Sequence, residues 1–320
     1  MATEITTHLQ DVLETHKMSH IDDLLTKYKS KRDEVKEKLE AKYNGGSYAP
    51  FNSGSYAKHT AINSKFDLDV VIPFKRNSFS TLEDMFNDVY DFLYGEYKNE
   101  ATIREQKVSI GIEFYVDEDG DTISLDIVPG RELNADSYPD DDKLNLFVNS
   151  QYGLLESKTY IQTNIQAQIE HIKGKSNERE IIRLLKIWKN SNREKYKSFL
   201  LELITIKAFD KENILGNLWE NLKAVMKYIQ DNVTEDSFTL KDPGNSNNDV
   251  IETLEKWERQ NLSNKMRNIL SNIETNSDNI NIYFPINEKY KAEEKSAQNI
   301  YGIKDNKIIP SIPPNNQRFG

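Results

Sequence analysis

Gly54-Ser55 is followed, after eleven residues, by Asp67-Leu68-Asp69. The acids lead into Val70-Val71-Ile72, a short β-branched apolar run of the kind that forms a buried strand. Side chains alternate faces along a strand, so carboxylates at i and i+2 point the same way. A third acid, Asp126, sits inside a similar run, Ile123-Ser124-Leu125-Asp126-Ile127-Val128. Two neighbouring strands could converge these three carboxylates, and burying them together without cations would be prohibitive. The chemistry that suits such a constellation is two-metal nucleotidyl transfer. Gly-Ser before a short helix suits the other half of that chemistry. Gly54 lets the backbone come close to a phosphate, Ser55 offers a hydroxyl, and free N–H groups at a helix start favour anions.

The elements that must position these residues can be read from periodicity. Residues 18–43 predict one long surface helix, with Ile21, Leu24, Leu25, Tyr28, Val35 and Leu39 at broadly 3.6 spacing. Ser19 is its expected N-cap, and Asn44-Gly45-Gly46 its stop. A short helix over 55–62, a strand over 67–74 and a helix over 81–94 follow. Two strands, 107–116 and 122–128, are expected around the turn Asp117-Glu118-Asp119-Gly120. Residues 130–150 read as loop, with Pro139 and Asp140 to Asp142. After about Tyr160 strands are expected to vanish, and helices are predicted near 159–173, 177–191, 197–210, 214–231 and 249–274. The expected fold class is α+β, with a mixed-sheet lobe, a C-terminal helical lobe and a cleft between them.

Composition narrows the function classes. The 320 residues carry 42 basic and 52 acidic side chains, a net charge of −10, opposite in sign to a duplex nucleic-acid binder. Cysteine is absent, which excludes disulfides, zinc-thiolate sites and cysteine nucleophiles. No apolar run approaches the roughly 20 residues needed to span a bilayer. MATEITTHLQ lacks the basic start and apolar core of a signal peptide, so the expected compartment is the cytoplasm. The five histidines show no metal-ligand spacing, although His59 falls in the expected phosphate-binding helix. There is no Walker-type loop and no kinase motif set.

The stretches "GSYAKHTAINSKFDLDVVIPF" and "ISLDIVPGRE" resemble the DNA polymerase β-type nucleotidyltransferase superfamily. More closely they resemble the bacterial CD-NTases, cyclic GMP-AMP synthase-like enzymes of CBASS anti-phage defence. "IIRLLKIWKN" with "KSFLLELITIKAF" resembles the helical lobe of that group, and "LKDPGNSNNDV" resembles its Asp-Pro loop. The resemblance implies a polymerase β-like catalytic lobe at 1–155 with a long bridging N-terminal helix, a helical lobe at 156–308 and a flexible tail at 309–320.

It also implies roles. Gly54 and Ser55 would hold the donor triphosphate. Asp67, Asp69 and Asp126 would hold two Mg²⁺, with Mn²⁺ an alternative, and Asp126 would lie nearest the attacking ribose hydroxyl. Lys186 and Ser198 would contact phosphates, and Phe199 would stack on the donor base where relatives often place tyrosine. Lys186 also suits a solvated helix lysine, and Phe199 also suits the apolar core. The C-terminal Gly320 is either a conjugation site for an E1/E2-like partner or an ordinary chain end.

The expected function is therefore a Mg²⁺-dependent nucleotidyltransferase joining ribonucleoside triphosphates into a cyclic di- or trinucleotide second messenger. The product would be sensed by a downstream effector; neither duplex DNA nor membrane is expected as a partner. Two alternatives stand beside it. One is transfer to a macromolecular or drug acceptor, as in a tRNA-end-adding or adenylylating enzyme; the other is a catalytically dead nucleotide-binding scaffold.

Overall fold

The chain begins with two helices. The structure, a computed structural model, describes residues 2–149 and 159–291. Helix α1 spans Ala2–Thr15, and a 3₁₀ turn at Met18–Ile21 leads into α2 (Asp22–Lys42). The helix expected over 18–43 is thus shorter at its start. Ser19 lies in the 3₁₀ turn, and Ile21 occupies the N-cap of α2 without a side-chain cap. The tail of α2 is as expected, with Gly45 at φ +82°, a conformation that favours glycine. Helix α1 was not foreseen.

The sheet follows. Its elements are β1 (Phe51–Ser53), α3 (Gly54–Ala57), β2 (Leu68–Phe74), α4 (Leu82–Tyr97), β3 (Ala101–Glu105), β4 (Ile110–Phe114), β5 (Ser124–Glu132), α5 (Tyr138–Asp141), β6 (Leu144–Phe147) and β7 (Tyr160–Thr163). The path runs β1-β2-β5-β4-β3, and the far half of β5 carries β6 and then β7. Strands β2 and β5 are parallel, while β1 on β2 and β4 on β5 are antiparallel. Thr81 caps α4 with a reciprocal box: its hydroxyl accepts from the Asp84 N–H, and the Asp84 carboxylate accepts from the Thr81 N–H.

Three expectations need correction here. The short helix expected over 55–62 is only four residues long, and His59 beyond it stands at φ +57°. The expected loop at 130–150 instead holds the end of β5, α5 and β6. Strands do not vanish after Tyr160, because β7 begins there and a small hairpin comes later. Short edge strands with polar residues carry too little apolar alternation to show in sequence.

The remaining helices are α6 (Ile165–His171), α7 (Ser176–Ser191), α8 (Ser198–Lys211), α9 (Leu218–Asn232), then the hairpin β8 (Lys241–Asp242) and β9 (Asn245–Asp249), α10 (Lys256–Thr275) and α11 (Ile280–Tyr283). Two apolar cores divide the chain. One lies between the sheet and helices α2 and α4, around Tyr28, Val35, Val70, Ile72, Phe86 and Ile127. The other lies among α7 to α10 and includes Ile5, Leu9 and Val12 of α1. By its contacts α1 therefore belongs with the helical core, although it is far away in sequence. The expected lobe boundary at 155 and Gly320 of the expected tail lie outside the described residues.

Candidate active site

The alternation of β2 decides which way its acids face. Leu68, Val70, Ile72 and Phe74 are buried in the sheet core, as are Leu125 and Ile127 of β5. Asp69 and Asp126 occupy the intervening positions and so face away from that core. They lie opposite one another in the parallel register. Asp67 precedes β2 by one residue, and its charge acts on both. Asp69 and Asp126 therefore share one face of the sheet, with Asp67 at the entry to β2.

Their electrostatics are those of partly buried acids near one another. Asp69 is pushed up to about 7, first by burial and then by the charges of Asp67 and Asp126, with Lys58 and Lys186 pulling the other way. Asp126 is pushed up to about 6 by burial and by Asp67, against a hydrogen bond from Gln106. These are hard oxygen donors of the kind that suit Mg²⁺. They are spread more widely than ligands of a single ion. Among the described residues, the one trio with carboxylate oxygens within 4.8 Å of one another is Asp117, Asp119 and Asp121. That trio belongs to the β4–β5 turn, where the Lys27 ammonium stands 2.6–2.7 Å from all three acids and already supplies the positive charge.

Gly54 is packed against Asp69. It stands at φ +67°, and a Cβ there would fall 1.6 Å from Asp69 Oδ2, so both conformation and space require glycine. Ser53 pairs with Asp69 across β1 and β2, which sets this approach. Ser55 is half-buried, and no side chain caps the first turn of α3.

The helical elements bring cations to the same loop. Lys186 of α7 is buried, donates to the Thr60 carbonyl at 2.8 Å, and is lowered to about 8 mainly by burial. The lysine on this helix is thus a buried group at the loop rather than a solvated one. Ser198 opens α8 and accepts from Lys189 Nζ at 2.7 Å. Phe199 is partly buried against the helical core, and Lys58 Nζ stands 4.6 Å from its ring centroid.

Several residues at this site were missed by sequence reading. Lys58 Nζ forms a buried ion pair with Glu202 Oε1 at 2.8 Å, joining the Gly-Ser segment to α8. A signal existed in "SFLLELITIKAF", where a lone carboxylate in an apolar run needs a partner. Lys189 and Gln106 had no comparable signal, because nothing local in their surroundings singles them out.

No family model matches the sequence, and no curated protein matches it. Solved structures do. CdnC of Escherichia coli MS115-1, solved in a complex with HORMA-deltaN, aligns at TM-score 0.67 and 19% identity over 87% of this chain and 96% of that one. The CdnE cyclic dinucleotide synthase of Elizabethkingia meningoseptica, with GTP and Apcpp, aligns at TM-score 0.56 and 14% identity over 76% and 91%. The DncV cyclic AMP-GMP synthase of Vibrio cholerae, a prokaryotic cGAS homolog, aligns at TM-score 0.56 and 14% identity over 91% and 86%. At such identities the likeness is one of architecture, and the chain shares the α+β fold of CdnC, CdnE and DncV.

Proposed function

We propose that this protein is a Mg²⁺-dependent nucleotidyltransferase of the CD-NTase kind. It joins ribonucleoside triphosphates into a cyclic di- or trinucleotide that serves as a second messenger in anti-phage defence. The observation that carries this reading is the in-register pairing of Asp69 with Asp126 on the face of β2 and β5 turned away from the sheet core, with Gly54 pressed against Asp69. The names of the solved neighbours, two of them cyclic nucleotide synthases, support the cyclic product.

Asp67, Asp69 and Asp126 would hold the ions. Ions held there would supply charge neutralisation of the triphosphate and a lowered pKa at the acceptor hydroxyl. The chain's own residues do the positioning. The Gly54 backbone and the Ser55 hydroxyl receive phosphate oxygens. Lys186, held by the Thr60 carbonyl, places positive charge behind the same loop. Phe199 offers the donor base an aromatic face, and Lys58 against that ring fixes its position. Asp126 stands nearest the attacking hydroxyl. The lobes divide near 155–156, with α1 returning to the helical side.

Labelled ribonucleoside triphosphates and Mg²⁺, incubated with the purified protein and no acceptor, test the reading. A small phosphatase-resistant product is expected, and Asp67→Ala with Asp69→Ala should abolish it while sparing the fold. Product formed only after adding an RNA, protein or drug acceptor would transfer the assignment to that acceptor class. Unchanged turnover in the double variant would remove this site.

A further inference from the structure

Asp126 is held by a group outside the acidic cluster. Gln106 lies in the turn between β3 and β4, and its Nε2 donates to Asp126 Oδ1 at 2.9 Å. The amide is fixed at its other end, because Ser109 Oγ donates to Gln106 Oε1 at 2.8 Å. With the oxygen engaged by a hydroxyl, the NH₂ end is left to face Asp126. The turn itself is closed by the Gln106 N–H, which donates to the Ser109 carbonyl at 2.9 Å.

Gly111 makes room for this contact. It pairs directly with Asp126 across β4 and β5. A Cβ at 111 would fall 2.6 Å from Gln106 Nε2 and 3.4 Å from Asp126 Oδ1. Gly111 is absent from the positive-φ glycines, so space rather than backbone conformation requires glycine there. Among the described residues, Asp126 is the one member of the trio that receives a side-chain hydrogen bond. The donor is neutral, so it favours the ionised carboxylate without placing a second cation where metal would compete with it. It takes one acceptor site on Oδ1 and leaves the rest of the carboxylate open.

We propose that Gln106, buttressed by Ser109 and given passage by Gly111, is the positioning residue that orients Asp126 for metal and acceptor. This rests on the reading of Asp126 as a metal ligand. Gln106→Met keeps the bulk and removes the donor. In calorimetry with a non-hydrolysable nucleoside triphosphate present, Mn²⁺ binding to this variant should weaken by roughly 10–100-fold. Gly111→Ala, which displaces the same amide from the neighbouring strand, should weaken it similarly. Turnover by Gln106→Met should recover at saturating Mn²⁺, which damage to the fold would not allow. Asp126→Asn is the reference and should lose the binding. Wild-type Mn²⁺ affinity in Gln106→Met, with affinity lost in Asp126→Asn, overturns the role of Gln106 and leaves the site standing. Wild-type affinity in Asp126→Asn overturns both.

Discussion

Asp69 carries the heaviest electrostatic load in the cleft, and its pH dependence has a definite sign. Its carboxyl sits at about 7 in the folded protein against 3.8 for the free side chain. Between roughly pH 4 and 7 the folded protein therefore holds a proton that the unfolded chain has released. Stability falls as pH rises through that window, and the penalty is complete above it. Asp69→Asn removes the titration. Without divalent metal the variant should be more stable than wild type at pH 8, by on the order of 4 kcal/mol, and less so at pH 5. Denaturant melts in EDTA at the two pH values check this, and a wild-type advantage at pH 8 would contradict it. Adding Mg²⁺ with nucleotide should reverse the order, since metal ligands must be ionised. At this scale Gly54, Ser55, Asp67 and Asp69 stood out as candidates because they lie close together in the chain, and Asp126 because it is a lone acid inside an apolar strand run. Gln106 was not, since its partner lies 20 residues away and its type is unremarkable.

Between elements, the buried Lys58–Glu202 pair makes the strongest single claim. Both side chains are under one-tenth exposed, and the bond joins the segment after α3 to the middle of α8. Glu202→Gln would leave an ammonium ion buried without its counter-charge, a change that costs about 3–5 kcal/mol. The double replacement Lys58→Met with Glu202→Leu should recover most of that loss in urea melts, because burial of neither charge is then required. Equal destabilisation in the single and double variants would mean that packing, not charge, dominates this contact. The helix that carries Glu202 was legible, as was the one before it. Helices α7 and α8 hold dense apolar runs, and their observed bounds, Ser176–Ser191 and Ser198–Lys211, fall close to those expected. Strands β6 and β7 were not legible, being four residues each at the end of the sheet. Of the interlobe pair only half was legible, since Glu202 stands alone in an apolar run but nothing there names its partner. A contact 144 residues apart in the chain leaves no local pattern that pairs Glu202 with Lys58.

For the whole molecule, the decisive feature is that α1 is bound to the lobe farthest from it in sequence. Leu9 and Val12 are fully buried in the helical core, and His8 Nε2 stands 2.7 Å from the Phe284 carbonyl oxygen. The same core contains Ile62, which follows the Gly-Ser segment. Asn63 then ties three parts of the chain together: its Nδ2 donates to the carbonyls of Thr15 and Lys17, and its Oδ1 accepts from Asn287. Helix α2, after the short 3₁₀ turn, packs on the sheet core instead. The two N-terminal helices thus span the lobes as a pair, where sequence periodicity suggested one long helix. Leu9 belongs to the helical core and is none of the residues assigned to the site, so its removal tests assembly against chemistry. Leu9→Ala should lower stability by roughly 2–5 kcal/mol through the lost burial and the cavity left behind. At a temperature where the variant is still folded, nucleotide turnover should stay close to wild type. A large stability loss with unchanged turnover would identify α1 as a clamp that holds the lobes without shaping the cleft. Turnover falling well below the folded fraction would show instead that strain at α1 reaches the Gly-Ser turn through Ile62 and Asn63.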